Sequence, residues 1–392
     1  MGHTVVQVLD FLPRYPKRSG EQVLVLLAER LRSKGWRTVH VFGGEPEISL
    51  QRRFRELDSP WIVVPFPLTC AGAKALAADL RQYHPDVIQS TFISPFNPAL
   101  WMLKRHSGAR YLVLNDNSSN RPSRKGPLKR MLARLRGRWA AGYIDHIIAV
   151  SDFVRERDIH DVFLPASKIR VVHHGVNMEQ FVPMEKTESE ALTIAFAGQL
   201  IPEKGVLCLL QAVCELLREH PSLPLKVRIA GEGHQSNELR QYCIDHELSQ
   251  VEFLGHIDWV ARLFAQADVV AIPSEWEEAL GLVEIEAMGC GACVIGSDAG
   301  AIPEALGTDG QAGLIFKRGD VSDLKQKLYE LLMDRDRRQR MGAAARQRAV
   351  ELFTIQRMVE GYLQVYNEIE ADMAGTQPGS HAGERREACA TA

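Results

Sequence analysis

Thr193-Ile194-Ala195-Phe196-Ala197-Gly198-Gln199-Leu200-Ile201-Pro202-Glu203-Lys204-Gly205 reads as a short apolar, β-rich run that empties into a glycine-bearing loop, and the helical pattern Val206–Glu219 starts directly behind it. Strand, loop and helix in that order make one βα unit. Downstream the unit repeats: runs at Leu225–Ala230, Val251–Leu254, Val269–Ile272, Cys293–Ile295 and Leu314–Phe316 alternate with helical patterns at Asn237–His246, Trp259–Ala267 and Leu282–Met288. Upstream the same rhythm runs through Val5–Leu9, Glu21–Lys34, Val39–Phe42, Trp61–Val64, Ala71–Tyr83, Val87–Gln89, Tyr111–Leu114, Leu128–Ala141 and Ile147–Val150. Parallel strands need crossover helices, so the alternation predicts an α/β protein with two doubly wound, Rossmann-like sheets.

The rhythm pauses at Pro183–Glu190, where Met184-Glu185-Lys186-Thr187-Glu188-Ser189 has no apolar period. This predicts domains at 1–183 and 191–352 joined by a linker at 184–190. Helical patterns at Val321–Met333, Arg335–Leu352 and Ile355–Asp372 close the chain, and residues 373–392 read as a disordered tail rich in small and charged residues.

Composition narrows the class. The chain has 392 residues, 45% hydrophobic and 24% charged, which excludes collagen-like, low-complexity or wholly disordered proteins. Forty-seven basic against forty-nine acidic residues leave a net charge of -2, so nucleic acid is not an expected partner. Seven scattered cysteines, an odd number, fit a reducing compartment better than a disulfide framework, and a cytoplasmic location is expected. Neither a signal-peptide pattern at the N-terminus nor an apolar run of membrane-spanning length is present in the sequence.

Ligands of open α/β sheets sit at the carboxyl ends of the strands. In the second half four strand ends carry polar, glycine-rich loops: 198–205, 231–233, 273–278 and 297–304. Lys204 stands just before a helix start, where a cation and free backbone N–H groups together suit a phosphate. Glu278-Ala279-Leu280-Gly281-Leu282 leads into the helix that carries Glu286, a Glu-x7-Glu spacing with one carboxylate at the helix mouth and another about one turn deeper. Two carboxylates suit two sets of vicinal hydroxyls, a ribose and a hexose, with a diphosphate between them.

Gln199–Gly205, Pro273–Glu278, Gly281–Met288 and Gly300-Ala301-Ile302-Pro303-Glu304 resemble the donor-site motifs of retaining glycosyltransferase family 4, which has the GT-B fold. Val150-Ser151-Asp152-Phe153, Lys168–Val172, His174–Asn177 and Phe181–Pro183 look like that family's approach to the interdomain linker, so the resemblance runs nearly end to end. It implies an acceptor-binding first domain, a nucleotide-sugar-binding second domain, and a helix at 353–372 that crosses back onto the first. It further implies that Lys204 contacts the diphosphate, Glu278 the transferred sugar and Glu286 the ribose, that the Ala279, Leu280, Gly281 and Leu282 amides hold the phosphates with Gly198 and Gln199 nearby, and that Glu232 and Gly233 lie near the base. Lys204 and Glu278 are thus the expected catalytic pair. Gly20, Thr91, Asn115 and Asp116 are the acceptor or cleft candidates, with Ser94 and Asn97 further polar residues on the same side.

The expected activity is retaining transfer of a hexose from a nucleotide-diphosphate sugar to a glycan, lipid-linked or small-molecule acceptor, in cell-envelope polysaccharide or glycolipid synthesis. No Asp-x-Asp stands at a strand end, so metal-independent catalysis and no cofactor are expected. The chain departs from the family in three places. Gln199 stands where an arginine is usual, Ser90-Thr91-Phe92 where a histidine is often found, and Ser19-Gly20-Glu21 in place of a Gly-Gly-x-Glu loop. These departures keep two alternatives open: a catalytically silent nucleotide-sugar-binding relative, and a GT-B isomerase or phosphorylase.

Two motifs are discounted. Cys290-Gly291-Ala292-Cys293 has no second pair and reads as buried small residues, and His173-His174 as linker structure. One is retained: residues 121–138 hold Arg121, Arg124, Lys125, Lys129, Arg130, Arg134, Arg136 and Arg138 without an acid. Leu128, Met131, Leu132, Leu135 and Trp139 recur among them at helical spacing, which suits a helix docking on an anionic membrane, at the inner face of the plasma membrane, or on a phosphorylated acceptor, or else a core helix with a solvated basic face.

Overall fold

The computed structural model describes residues 2–11, 13, 19–119, 126–187 and 190–375. The first half contains β1 (Thr4–Leu9), α1 (Ser19–Ser33), β2 (Arg37–Phe42), α2 (Ile48–Glu56), β3 (Trp61–Val63), α3 (Cys70–Leu80), β4 (Val87–Thr91), α4 (Pro98–Ser107), β5 (Tyr111–Asp116), α5 (Pro127–Ala141), β6 (His146–Ala149), α6 (Asp152–Arg157) and β7 (Ile169–Val171). The second contains β8 (Leu192–Ala197), α7 (Val206–Glu219), β9 (Leu225–Ala230), α8 (Ser236–Asp245), β10 (Val251–Gly255), α9 (Val260–Gln266), β11 (Val269–Ile272), α10 (Leu282–Gly289), β12 (Val294–Ser297), α11 (Ile302–Leu306), β13 (Leu314–Phe316), α12 (Val321–Met333), α13 (Arg335–Leu352) and α14 (Ile355–Met373).

Both sheets are parallel throughout. Their orders are β3-β2-β1-β4-β5-β6-β7 and β10-β9-β8-β11-β12-β13, so each reverses direction once, at β1/β4 and at β8/β11. Central strands such as β1 and β11 are apolar at nearly every position because helices cover both faces of the sheet.

α14 returns to the first half. Thr354 caps it by accepting from the Arg357 N–H at 3.1 Å, and its stripe Ile355, Met358, Val359, Tyr362, Val365, Tyr366 and Ile369 packs on Val5, Val23, Leu27, Val87 and Val113. Each such buried side chain contributes about 1.5–3 kcal/mol before entropy. Polar bonds set the register: the Asn115 amide donates to the Tyr362 hydroxyl at 2.9 Å and the Tyr366 hydroxyl donates to Gln89. The returning chain meets the outgoing one where Val176 donates to Phe353 O at 2.8 Å and Ile355 donates to Val176 O at 3.3 Å.

Several elements differ from the sequence expectation. The periodicity does not predict α2, α4 or α6: α2 buries only Leu50 and Phe54 and so shows a single i,i+4 pair, while α4 starts with Pro98 behind its cap. β4 and β5 extend two residues further than their apolar runs, to Thr91 and Asp116, since a strand end can continue on buried polar side chains. α14 reaches Met373, so the expected tail starts too early; of that tail, residues 376–392 lie outside the described residues, as do Glu188 and Ser189 of the expected linker.

Candidate functional site

The switch point of the second sheet brings the loops after β8 and β11 together. Gly205 has a left-handed φ of 66°, and a Cβ on it would stand 1.8 Å from Pro273 O, so only glycine lets the loop carrying Lys204 lie against the loop carrying Glu278. The backbone amides of Glu275 and Trp276 both donate to Glu203 O, at 2.8 and 3.2 Å. Lys204 Nζ then lies 2.6 Å from Glu278 Oε1, and the Ser274 hydroxyl donates to the same oxygen at 2.9 Å. The lysine side chain is 30% exposed and the glutamate 12%, so the cation is the more open partner of the pair.

α10 begins four residues after Glu278. Its first-turn Glu284 is buried and accepts the Gly281 N–H at 2.8 Å. The family resemblance assigns that amide to a phosphate; here Glu284 occupies it, in a Gly-x-x-Glu capping arrangement that the sequence displays and that a reading centred on Glu286 overlooks. Burial, and then the nearby Glu278 charge, push the Glu284 carboxyl up to about 7 despite hydrogen bonds that lower it. Glu286 is half-buried two residues further along the same helix. Ala279 and Leu280 are buried, and Leu282 is half-buried at the first turn of α10.

Gly198 and Gln199 follow β8, with Gln199 exposed. The segment 231–235 clamps onto them: Leu200 donates to Glu232 O at 2.9 Å and Gln235 donates back to Leu200 O at 3.0 Å. Glu232 and Gly233 both lie on this edge, with Gly233 exposed.

The first-half candidates are dispersed. Gly20 is exposed in the first turn of α1, with open space within 4 Å of where a Cβ would stand. Thr91 and Asn115 are buried, with the Asn115 amide shared between Tyr362 of α14 and, at 3.5 Å, Thr91. Asp116 is also buried, paired with Arg157 at 2.8 Å, and Arg157 in turn pairs with Asp158 at 2.7 Å. Asn97 caps α4 by accepting from the Ala99 N–H at 3.0 Å. A residue that sequence reasoning did not single out is Phe92, which is 56% exposed directly after β4 at the first sheet's switch point and holds a left-handed φ of 63°.

Cys290 and Cys293 are buried, and burial pushes both thiols up to about 12. His173 lies 2.6 Å from Glu304, and Asp152, His173 and Glu304 each offer a ligand atom within 4.8 Å of the others. Both Glu304 oxygens already accept backbone amides, from Asp152 at 2.8 Å and Phe153 at 3.1 Å.

In α5 the small residues Ala133, Gly137 and Ala140 face the protein, and a Cβ on Gly137 would stand 2.4 Å from Val162 O. Leu128, Met131, Leu132, Leu135 and Trp139 all point outward, so the core-helix alternative does not hold. Arg134 and Arg136 lie over the Phe163 and Phe96 rings, at 5.3 and 4.3 Å. Arg121, Arg124 and Lys125 lie outside the described residues.

Comparison with known proteins places this arrangement. A family model described as "Glycosyltransferase Family 4" matches residues 20–180, and one described as "Glycosyl transferases group 1" matches residues 178–348. A D-inositol 3-phosphate glycosyltransferase of Corynebacterium jeikeium is 34% identical over 239 residues, 56% of this chain and 55% of that protein, so the match spans about half the relative's length. A glycosyltransferase crystal structure from Rickettsia africae superposes with a TM-score of 0.76 at 19% identity, covering 94% of this chain and 99% of the other. Anabaena Alr3699/HepE, solved with UDP and glucose, gives 0.71 at 19% identity, covering 93% and 99%. The shared fold is GT-B.

Proposed function

Because the chain belongs to the family 4, group 1 glycosyltransferases, we propose that it transfers a hexose from a nucleotide-diphosphate sugar to a glycan, lipid-linked or small-molecule acceptor, with retention and without a metal ion. The observation that carries this reading is the Lys204–Glu278 pair at the switch point, whose glutamate lies in the loop that runs directly into α10. The nucleotide sugar as donor is further supported by Alr3699/HepE, whose structures hold UDP with glucose and UDP-glucose.

In this reading Lys204 exchanges partners. An arriving diphosphate takes the ammonium, and Glu278, its Oε1 still held by Ser274, turns its other oxygen to the sugar hydroxyls. As the bond between the anomeric carbon and the phosphate oxygen breaks, negative charge gathers on the phosphate. Lys204 and the helix start stabilise it electrostatically. On the front-face route the acceptor oxygen bonds to the anomeric carbon from the side the phosphate leaves, and the acceptor proton passes to the departing phosphate oxygen. The chain then supplies position and charge and no covalent nucleophile. Glu286 holds the ribose.

The outward apolar and basic face of α5 supports a second part of the reading: docking on an anionic leaflet, bringing a lipid-linked acceptor of envelope polysaccharide or glycolipid synthesis to the cleft from the cytoplasmic side. Among the described residues no helix is long and apolar enough to cross a membrane.

The decisive experiment incubates the chain with UDP-, GDP- and ADP-sugars and a mixed acceptor pool in EDTA. Release of nucleoside diphosphate that requires an acceptor is expected. Binding without release supports the silent alternative, to which Gln199 points by replacing a cation with a neutral amide, and conversion without acceptor supports an isomerase.

A further inference from the structure

Glu304 sits on α11, in the second half, yet its carboxylate bonds to the first. Its two oxygens accept the Asp152 and Phe153 N–H groups, the donors left without a helical partner at the start of α6, and one of them meets His173 Nε2 at 2.6 Å. Burial raises this carboxyl, but His173 and the two amides outweigh it and hold the group below its ordinary value, as expected for an anion that is needed charged. A second bond crosses the same seam: the Ser151 hydroxyl, fully buried, donates to Ala279 O while accepting from Val154 N–H at 3.1 Å.

Both crossing points lead to the donor loop. Ala279 follows Glu278 directly. Glu304 is three residues beyond Ala301, whose N–H donates to Glu278 O at 2.9 Å. Just before Ala301, Gly300, at φ 58°, lies so close that a Cβ would stand 2.2 Å from Glu278 O. Apolar packing crosses the same seam, with Ala149, Val150 and Val154 joined to Ala279, Leu280 and Ile302 in one buried cluster.

We propose that Glu304 and Ser151 form a clasp between the halves that fixes the Glu278–Ala279 backbone against the start of α6, making them positioning residues for transfer. The clasp rests on the transferase reading for its consequence but not for its existence. When the halves part, the carboxylate loses Asp152, Phe153 and His173 while the hydroxyl loses Ala279 O, and the loop carrying Glu278 is released from the first half. When they meet, the loop is set by a surface that touches no part of the donor. Charge-assisted bonds to backbone amides suit this task, since they are short and strongly directional.

The test uses the full chain with Glu304→Ala, Glu304→Gln, Ser151→Ala and Ser151→Thr. Small-angle X-ray scattering reads the separation of the halves. Calorimetry reads binding of whichever of UDP, GDP or ADP most stabilises the wild type. Glu304→Ala is expected to raise the radius of gyration, lower kcat at least about tenfold and leave the nucleotide Kd within about twofold. Glu304→Gln, which keeps one carbonyl acceptor, falls between. Ser151→Thr recovers most of what Ser151→Ala loses, which holds even if Glu304→Ala fails to fold. An unchanged radius of gyration overturns the clasp. A nucleotide Kd that weakens in step with kcat overturns the positioning role. Expansion of the wild type on adding EDTA also overturns it, because Asp152, His173 and Glu304 would then be holding an ion. If the wild type shows no transfer with any donor, the functional reading fails and scattering still decides the clasp.

Discussion

Replacing Glu284 by Gln tests the electrostatics of the turn between β11 and α10 without knowledge of the substrate. The side chain is 2% exposed, accepts the Gly281 amide, and lies near the Glu278 carboxylate. Its carboxyl titrates at about 7 in the folded protein against an ordinary 4.5. A raised acid holds its proton longer folded than unfolded. Between pH 4.5 and about 7 the folded state therefore binds more protons, stability falls as pH rises through that window, and above it the loss is complete. At 1.36 kcal/mol per pH unit the full loss is about 3 kcal/mol. Gln keeps the shape and the acceptor for Gly281 but carries no charge. Thermal midpoints of wild type and Glu284→Gln, measured from pH 4.5 to 8.5, should coincide at the acid end, diverge upward for the variant from just above pH 4.5 and reach their full separation above about pH 7. Since 1 kcal/mol moves the midpoint of a unit of this size by about 2–4 °C, a gain of at least about 4 °C at pH 8 is expected. Parallel curves, or a variant less stable than wild type at pH 8, would refute the argument that an ionised carboxylate is being forced into this site.

Further outcomes follow from the same geometry. Lys204→Ala should lower kcat by about 10²–10³, the usual cost of one transition-state donor, with Glu278→Gln showing a comparable fall in acceptor-dependent release of nucleoside diphosphate. Glu286→Ala should instead weaken nucleotide binding, read by calorimetry, if it holds the ribose. Gly205→Ala forces a Cβ into Pro273 O and should cost more than about 1 kcal/mol while displacing Lys204, seen as a lower thermal midpoint together with lost nucleotide stabilisation. Sedimentation with anionic liposomes at low salt should require the outward face of α5: Leu132→Glu with Leu135→Glu should abolish it, and retention of binding in that variant would remove the membrane docking surface.

The legible part of the fold came from local pattern. Alternating strand and helix periods mark both sheets because each strand and its covering helix are contiguous in sequence and bury their own apolar faces. The places of Lys204, Glu278 and Glu286 at strand ends and helix starts were legible for the same reason, since the local chain pattern sets them. Glu284 was also on view, three residues after the glycine that caps its helix, but its consequence was not, since a raised carboxyl depends on what surrounds it. On the first half, polarity at strand ends misled. Asn115 and Asp116 look like cleft residues, yet one is spent on Tyr362 of α14 and the other on Arg157, partners 247 and 41 positions away.

By itself the sequence determined two βα halves, a closing amphipathic helix and a polar, glycine-rich edge on the second half, because each of these is written in residues adjacent along the chain. Only the tertiary structure decided which polar groups remain open to a ligand and which join the two halves. Glu304 is a first-turn acid of a short helix until folding brings α6 to it from 152 positions away, and a bond of that span has no local signature.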